Sequence, residues 1–133
     1  MGYIFEELIR RFSDGAESED YYIPRDFIKL KVNLLFMNDD DILTKKGITQ
    51  AIYDCCEGTG GMGSVSQEYL KKLNSNAYLK FYARELNEKS YAICKADILI
   101  KGQDENNIAH RNDKFSNMKF NYMISNPSIS IIY

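Results

Sequence analysis

Apolar side chains recur at helical spacing near the start of the chain. Four of them stand at positions i, i+3, i+4 and i+7 and predict an amphipathic helix over 3–12: Phe5, Leu8, Ile9 and Phe12. The polar segment 13–20 ends this helix, and Pro24 suits the first turn of a second helix that reaches about residue 37. The second helix is predicted to bury one apolar face, formed by Phe27, Leu30, Leu34 and Leu35.

Beyond residue 47 the pattern changes to short apolar or alternating runs separated by amphipathic segments. Four strands are predicted, over 48–54, over 77–85, near Ile108 and over 119–126. Helices are predicted over 62–73 and after Asn87, whose side chain suits an N-cap. Strands that alternate with helices favour an α/β fold, with a parallel sheet covered by helices. The chain therefore divides into a helical lead-in, 1–47, and an α/β domain, 48–133.

Composition and charge narrow the function classes. Of the 133 residues, 44% are hydrophobic and 27% are charged, which is typical of one small folded domain. Seventeen basic residues face nineteen acidic ones, and the net charge of −2 leaves no electrostatic footprint of a stand-alone nucleic-acid-binding domain. If DNA is a substrate, another segment or subunit must supply most of the phosphate contacts.

The cysteines, the histidine and the start of the chain give no sign of a disulfide framework, a metal site or a signal peptide. Cys55, Cys56 and Cys94 form neither a disulfide framework nor a zinc spacing, so we predict no metal site and expect reduced thiols in the cytoplasm. The charged start of the chain argues against a signal peptide, and no apolar run approaches the roughly 20 residues of a membrane span. The single histidine, His110, stands in a polar stretch and is predicted to be a solvated loop residue.

A glycine cluster follows the first predicted strand and precedes a helix. Gly58, Gly60 and Gly63 match G-x-G-x-x-G, in which glycine allows a sharp turn and a close approach of the backbone to a ligand. The following helix start favours an anionic group. The pattern lacks the Lys-Ser or Lys-Thr pair of a P-loop, and a glycine turn without a ligand is the alternative interpretation.

Glu85 ends the second predicted strand, where a carboxylate can accept both hydroxyls of a ribose. The alternative is a solvated glutamate at a strand end. Together with the glycine cluster, Glu85 indicates a cofactor that contains adenosine. At this point NAD and S-adenosylmethionine are equal candidates.

A third polar cluster, SNPS at 125–128, follows the last predicted strand. It places an asparagine amide, Asn126, at the sheet edge with the rigid Pro127 behind it. An amide oxygen can accept a hydrogen bond from an exocyclic amine. This suits holding an adenine amino group for attack on a methyl sulfonium, and so favours S-adenosylmethionine over NAD.

Four segments, in order, resemble the motifs of the adenine-specific DNA methylase domain of type I restriction-modification systems. DYYIPRDFIKL resembles F/Y-Y-T-P-R, and YDCCEGTGGM resembles D-P-x-x-G-x-G-G-M. YARELNEKSYAICKADILIKG resembles a motif that begins Y-G-Q-E-x-N-x-x-T-Y, and MKFNYMISNPSI resembles K-F-D-Y-x-x-x-N-P-P. The resemblance extends over nearly the whole chain.

The resemblance implies a three-layer Rossmann-like fold of S-adenosylmethionine-dependent methyltransferases. The chain would be truncated, with the cofactor-entry segment in its helical lead-in and the first half of the methyltransferase domain over 48–133. S-Adenosylmethionine is the implied cofactor, with Glu85 on its ribose hydroxyls and Asn112 near its adenine. Its methionine half would be wrapped by Asp54, Gly58, Thr59, Gly60 and Gly61. Asn126 and Pro127 would begin the catalytic loop, which orients a flipped adenine.

The implied partners are DNA and the specificity and restriction subunits of the same system; a homo-oligomer is left open. The departures from the family pattern fall where chemistry is expected, because Ser128 and Ile129 replace a proline and a stacking aromatic residue. We therefore expect no DNA methylation by residues 1–133 alone. The alternative is a truncated or degenerate non-catalytic fragment that binds a cofactor or other proteins. A nicotinamide-dependent oxidoreductase is a third interpretation.

Overall fold

The computed structural model describes residues 24–55, 61–111 and 114–126. The helix predicted over 3–12 lies outside these ranges. Helices α1 and α2 come first, followed by strands that alternate with helices. The elements are α1 (Arg25–Phe36), α2 (Asp40–Leu43), β1 (Thr49–Asp54), α3 (Gly61–Leu73), β2 (Tyr78–Glu85), α4 (Glu88–Ile100), a 3-10 turn (Glu105–Asn107), β3 (Ile108–His110) and β4 (Tyr122–Met123). None of the described helices has both the length and the apolar character needed to cross a membrane.

The four strands form one parallel sheet in the order β3-β2-β1-β4. β1 pairs with β2 along its whole length, from Thr49 opposite Tyr78 to Asp54 opposite Ala83. β4 pairs with the second half of β1, and β3 pairs with the end of β2. The predicted α/β fold with a parallel sheet is confirmed. In this order the connection direction reverses beside β1, which is where open α/β sheets bind ligands.

The main core lies between one face of the sheet and helices α1, α3 and α4. Alternate strand residues point into it, since side chains in a strand change face at every residue. The strands contribute Ile52, Leu79, Phe81 and Ile108, and the helices contribute Val32, Phe36, Val65, Leu70, Cys94 and Ile98. Phe36 is fully buried and packs edge-on against Tyr122 at 4.8 Å and parallel to Tyr69 at 5.4 Å between ring centroids. This packing fixes α1 beside β4.

An aromatic cluster covers the opposite face of the sheet. Tyr53 of β1 stacks on Phe120 at 4.7 Å, and Tyr82 of β2 meets Phe115 edge-on at 5.4 Å. Phe115 and Phe120 come from the segment 114–120, which follows β3. Within the described ranges this face carries no helix, so the segment 114–120 is what shields its aromatic side chains from water.

The face of α1 was predicted incorrectly. Phe27, Leu30 and Leu34 are 48%, 53% and 60% exposed, and only Leu35 of the predicted face packs against the core. The buried residues of α1 are Ile28, Val32 and Phe36. Both sets have helical spacing, so periodicity alone could not select between two apolar faces of one helix. The short helix α2 follows α1 within a few residues, and the sequence pattern did not predict it.

Side-chain amides extend the sheet on both sides of the β1–β2 pair. Gln103 accepts from the N–H of Phe81 and donates to the carbonyl of Leu79, both at 3.1 Å, so it takes the place of a strand before β3 begins. On the other side of the pair, Oδ1 of Asn121 accepts from the N–H of Ala51 at 2.8 Å. The side chain of Asn121 thus pairs with β1 just before the short β4 begins. The strand predicted over 119–126 is therefore shorter than expected, because 114–120 turns into the aromatic cluster.

Candidate active site at the carboxyl edge of the sheet

The carboxyl ends of the four parallel strands meet at one edge, as the predicted clustering of polar segments requires. Four of the predicted site residues are described there: Asp54, Gly61, Glu85 and Asn126. The other five lie outside the described residues: Gly58, Thr59, Gly60, Asn112 and Pro127. Their roles stay predictions.

Two carboxylates are buried at the ends of β1 and β2. Asp54 is 1% exposed and Glu85 is 6% exposed. Asp54 lies two residues after Ile52, and Glu85 lies four after Phe81, so both point to the sheet face that carries the helices. The site therefore presents negative charge on the same face as the start of α3.

The environment of Glu85 shifts its protonation toward the neutral acid. Burial raises the pKa of this carboxyl, and the nearby charge of Asp54 raises it further. The N–H groups of Asn87 and Leu86 and the charge of His110 act in the opposite direction on this pKa. The N–H of Asn87 donates to Oε1 at 2.7 Å, and the Asn87 side chain caps α4 by accepting from Ser90, as predicted.

This pair of carboxylates determines which ligands are compatible with the edge. Hydroxyl groups that donate hydrogen bonds and cations that lie nearby both stabilise a buried carboxylate. S-Adenosylmethionine carries ribose hydroxyls, an ammonium and a sulfonium. The carboxylate acceptors among the described residues therefore fit the ribose hydroxyls and the cationic groups of S-adenosylmethionine.

Two glycines at the start of α3 serve close packing. A Cβ at Gly63 would lie 2.8 Å from the ring of Phe81 on β2, closer than carbon atoms approach. A Cβ at Gly61 would lie 2.9 Å from the end of the Ile28 side chain on α1. The third glycine of the G-x-G-x-x-G pattern thus lets α3 sit close to the sheet, which is its usual role in such motifs.

An ion pair at the end of α4 also reaches α3 through a hydrogen bond. Asp97 is 2% exposed, and Lys101 donates to its Oδ2 and to the hydroxyl of Ser64. Lys101 therefore links the end of α4 to the first turns of α3, where the glycine segment enters the helix. Sequence reasoning missed this cluster, because a Lys and an Asp four apart are common on solvated helices.

His110 differs from its prediction as a solvated loop residue. It ends β3, opposite Glu85, and its ring stacks on Tyr91 of α4 with centroids 4.8 Å apart. Its Nε2 is buried and has no hydrogen-bond partner among the described residues. The strand predicted near Ile108 is confirmed as Ile108–His110, and its pairing with the end of β2 extends to His110, which the local pattern did not show.

The loop after β3 is held against the end of β2. Arg111 has a φ of 58°, in the left-handed region that favours glycine. Its backbone N–H donates to the carbonyl of Glu85 at 3.3 Å and its Nε to the carbonyl of Leu86 at 2.9 Å. Leu86 is itself 55% exposed, which leaves an apolar surface next to the buried carboxylate of Glu85.

The ends of β1 and β4 are joined beside Asn126. The thiol of Cys55, where the family pattern has proline, lies 3.5 Å from the hydroxyl of Ser125. From α1, Lys31 donates to the carbonyl of Ser125 at 3.1 Å and to Oδ1 of Asn126 at 3.2 Å. Asn126 is exposed and lies at the same strand edge as Asp54. Nothing in the sequence pattern singled out Lys31.

Comparisons with known proteins agree with this arrangement. The sequence profile of the family described as N-6 DNA methylase matches residues 1–133. The methylase subunit of the type I restriction enzyme MjaIX from Methanocaldococcus jannaschii is 28% identical over an alignment 134 residues long, which covers 96% of this chain and 22% of that protein. The resemblance predicted from the four sequence motifs is confirmed.

Solved structures show the same fold. The methyltransferase subunit of a type I restriction-modification system from Streptococcus thermophilus aligns with a TM-score of 0.69 and 22% identity, over 95% of this chain and 27% of that one. A Listeria monocytogenes protein described as a class I S-adenosylmethionine-dependent methyltransferase aligns with a TM-score of 0.66 and 14% identity, over 92% of this chain and 36% of that one. The chain thus spans about a quarter to a third of these structures, and the predicted methyltransferase fold is confirmed.

Proposed function

Because this chain belongs to the N-6 DNA methylase family, we propose that it forms part of an enzyme that methylates the adenine amino group in DNA. The methyl donor is S-adenosylmethionine, and the enzyme is the modification component of a type I restriction system. One observation carries the proposal. The buried Glu85 and the exposed Asn126 stand at the same edge of one parallel sheet, on opposite sides of β1.

The predicted site residues have separate roles in this reaction. S-Adenosylmethionine supplies an electrophilic methyl group when it is bound. Glu85 accepts hydrogen bonds from the ribose hydroxyls, and Asp54 places negative charge near the cationic methionine half. Asn126 accepts a hydrogen bond from the adenine amino group through Oδ1 and so orients its nitrogen. In the same proposal Gly58, Thr59 and Gly60 bring the backbone close to the cofactor.

The partners follow from the same proposal. The net charge of −2 gives little attraction for phosphate, so DNA is held mainly by other parts of the assembly. We propose specificity and restriction subunits as those parts, since the relatives are subunits of type I systems. The assembly works in the cytoplasm, where the thiols of Cys55 and Cys94 stay reduced.

Titration calorimetry with S-adenosylmethionine and with NAD tests the cofactor assignment. A contact to a charged acceptor contributes about 1.5–3 kcal/mol, so Glu85→Ala should weaken S-adenosylmethionine binding by roughly 10- to 150-fold. Glu88→Ala is the matched control, because Glu88 is exposed in the first turn of α4. Equal binding of NAD, or unchanged affinity in Glu85→Ala, would refute the assignment.

A second candidate is a non-catalytic fragment that keeps the fold and the cofactor. The sequence favours it at one place, because Ser128 and Ile129 stand where the family motif has proline and an aromatic residue. A flipped adenine would lack a stacking platform worth about 1–3 kcal/mol. Tritium transfer from labelled S-adenosylmethionine to unmethylated DNA separates the two candidates. Inactivity that persists after Ser128→Pro with Ile129→Phe would favour the non-catalytic fragment.

A further inference from the structure

The ammonium group of Lys31 contacts Ser125 and Asn126, which begin two residues after the end of β4. Lys31 lies on α1 in the helical lead-in, 95 positions before Asn126 in the sequence. Its Nζ donates to the backbone carbonyl of Ser125 at 3.1 Å and to Oδ1 of Asn126 at 3.2 Å. The first contact is to the backbone and the second is to a side chain, so together they orient the side chain of Asn126 relative to the main chain.

A cation–π contact to an aromatic ring on α1 adds to the two hydrogen bonds of the ammonium group. The Nζ atom lies 5.4 Å from the ring centroid of Phe27, one helical turn earlier on α1. The helix itself is anchored beside β4 by the contact between Phe36 and Tyr122. The core therefore holds the backbone of α1, which carries Lys31, beside the strand that leads to Asn126.

The chemistry of a carboxamide explains why a lysine matters here. Asn126 carries one acceptor oxygen and two N–H donors on a group of nearly symmetric shape, so rotation by half a turn exchanges oxygen and nitrogen. Lys31 has three N–H donors and no acceptor, so only the oxygen of Asn126 can face it. The lysine selects one of two orientations and turns Nδ2 away from α1.

We propose that Lys31 is a positioning residue for Asn126 and selects the orientation in which the asparagine amide meets the substrate base. The inference rests on the proposed methylation, because this orientation affects catalysis only if Asn126 holds the reacting base. Oδ1 keeps a second lone pair, which accepts from an exocyclic amine while Lys31 remains bound. Lys31 acts through Asn126, so its loss should lower the rate of methyl transfer and leave cofactor affinity unchanged.

A spectroscopic experiment tests the contact independently of activity. Lys31→Met keeps a straight apolar stem and removes the donors, whereas Lys31→Arg keeps a cationic donor. Lys29→Met is the matched control, since Lys29 Nζ lies 3.8 Å from Asp26 on the same helix. The side-chain amide signal of Asn126 in nuclear magnetic resonance, identified by its loss in Asn126→Ala, should move in Lys31→Met and stay in Lys29→Met. An unmoved signal in Lys31→Met overturns the inference.

Methyl transfer to unmethylated DNA, measured with the protein in its complete assembly, gives the second readout. Misplacement of a group at a reacting centre lowers rates by up to about 100-fold, so Lys31→Met should lower kcat roughly 10- to 100-fold with unchanged Kd for S-adenosylmethionine. Lys31→Arg should recover most of this loss. An unchanged kcat in Lys31→Met overturns the inference. Absence of turnover in the unaltered protein overturns the proposed function instead, and the amide signal of Asn126 then decides alone whether Lys31 holds it.

Discussion

Asn121 makes two hydrogen bonds to one residue, Ala51, and only one of them comes from its backbone. Its backbone N–H donates to the carbonyl of Ala51 at 2.9 Å, while its side-chain Oδ1 accepts from the N–H of Ala51 at 2.8 Å. The side chain thus acts as one more strand residue. It starts the pairing that brings β4, and with it Asn126, to the edge of β1.

Removing the side chain of Asn121 should loosen this start of β4. Asn121→Ala leaves the N–H of Ala51 without its acceptor and should lower the free energy of unfolding by about 1 kcal/mol. Asn121→Asp keeps an acceptor oxygen and should cost less. Urea denaturation measures both. Asn117→Ala, at an exposed position of the preceding turn, is the control, and an equal loss in that variant would contradict the assignment.

Glu85 should make the stability of the ligand-free protein fall as pH rises. Its pKa is raised in the folded state, so between the usual pKa of a glutamate, about 4.3, and the raised value the folded protein binds more protons than the unfolded chain. Stability is then highest below this window and decreases through it. In urea denaturation from pH 4 to pH 8, the free energy of unfolding should decrease less steeply in Glu85→Gln than in the unaltered protein. The glutamine keeps the acceptor for Asn87 but carries no charge.

At neutral pH, Glu85→Gln should change stability and cofactor binding in opposite directions. Glu85→Gln should be more stable than the unaltered protein there, because it removes a buried charge. It should also bind S-adenosylmethionine more weakly. If the free energy of unfolding changes with pH in the same way in both proteins, the pKa of Glu85 is not raised in the folded state, and the prediction is contradicted.

The two glycines of α3 should differ in their tolerance of a methyl group. Gly63→Ala places its Cβ against the ring of Phe81 inside the core, and such overpacking costs about 1–3 kcal/mol. Gly61→Ala meets only the flexible end of Ile28 and should cost less. Thermal unfolding measures the difference. A higher Tm in Gly63→Ala than in Gly61→Ala would contradict the close packing of α3 on β2.

Two substitutions of Arg111 should show, by their difference in stability, that its left-handed backbone is strained. Arg111→Ala removes the hydrogen bond from Nε to the carbonyl of Leu86 and keeps the positive φ, so it should lower the free energy of unfolding by about 1 kcal/mol. Arg111→Gly loses the same hydrogen bond but removes the conflict between Cβ and backbone, worth roughly 1–2 kcal/mol. In urea denaturation the glycine variant should be the more stable of the two, and the reverse order would exclude strain.

Local signals predicted the centre of the fold correctly. β1, α3 and β2 were placed within one residue at most ends, because each combines a periodic apolar pattern with turn residues at its limits. Asn87 was identified as a cap from its residue type and position, both of which are local. The position of Glu85 at the ligand-binding edge followed from the rule that parallel strands end at one edge, whereas Asp54 was named only through the family resemblance.

The contacts that the sequence did not predict all depend on neighbours distant along the chain. Lys31 reaches Asn126 only because α1 packs beside β4, and Gln103 replaces a strand only because β3 begins late. His110 was assigned to a loop because its three-residue strand is defined by pairing with β2. The apolar stripe of Leu30 and Leu34 was as regular as the buried one, so tertiary packing decided which face turned inward.

The distance along the chain between paired strands also sets an order of assembly. Ala51 and Asn121 are 70 positions apart, and at about 5–20 residues per second a ribosome needs roughly 4 to 14 seconds to span them. β1 and β2 can associate during this interval, while the edge of β1 that later receives β4 has no partner and is open to wrong pairing. Contacts this distant form slowly, because the loop must close before any bond compensates for its entropy. Asn126 therefore arrives after β1 and β2, at a carboxyl edge whose acidic half is already in place.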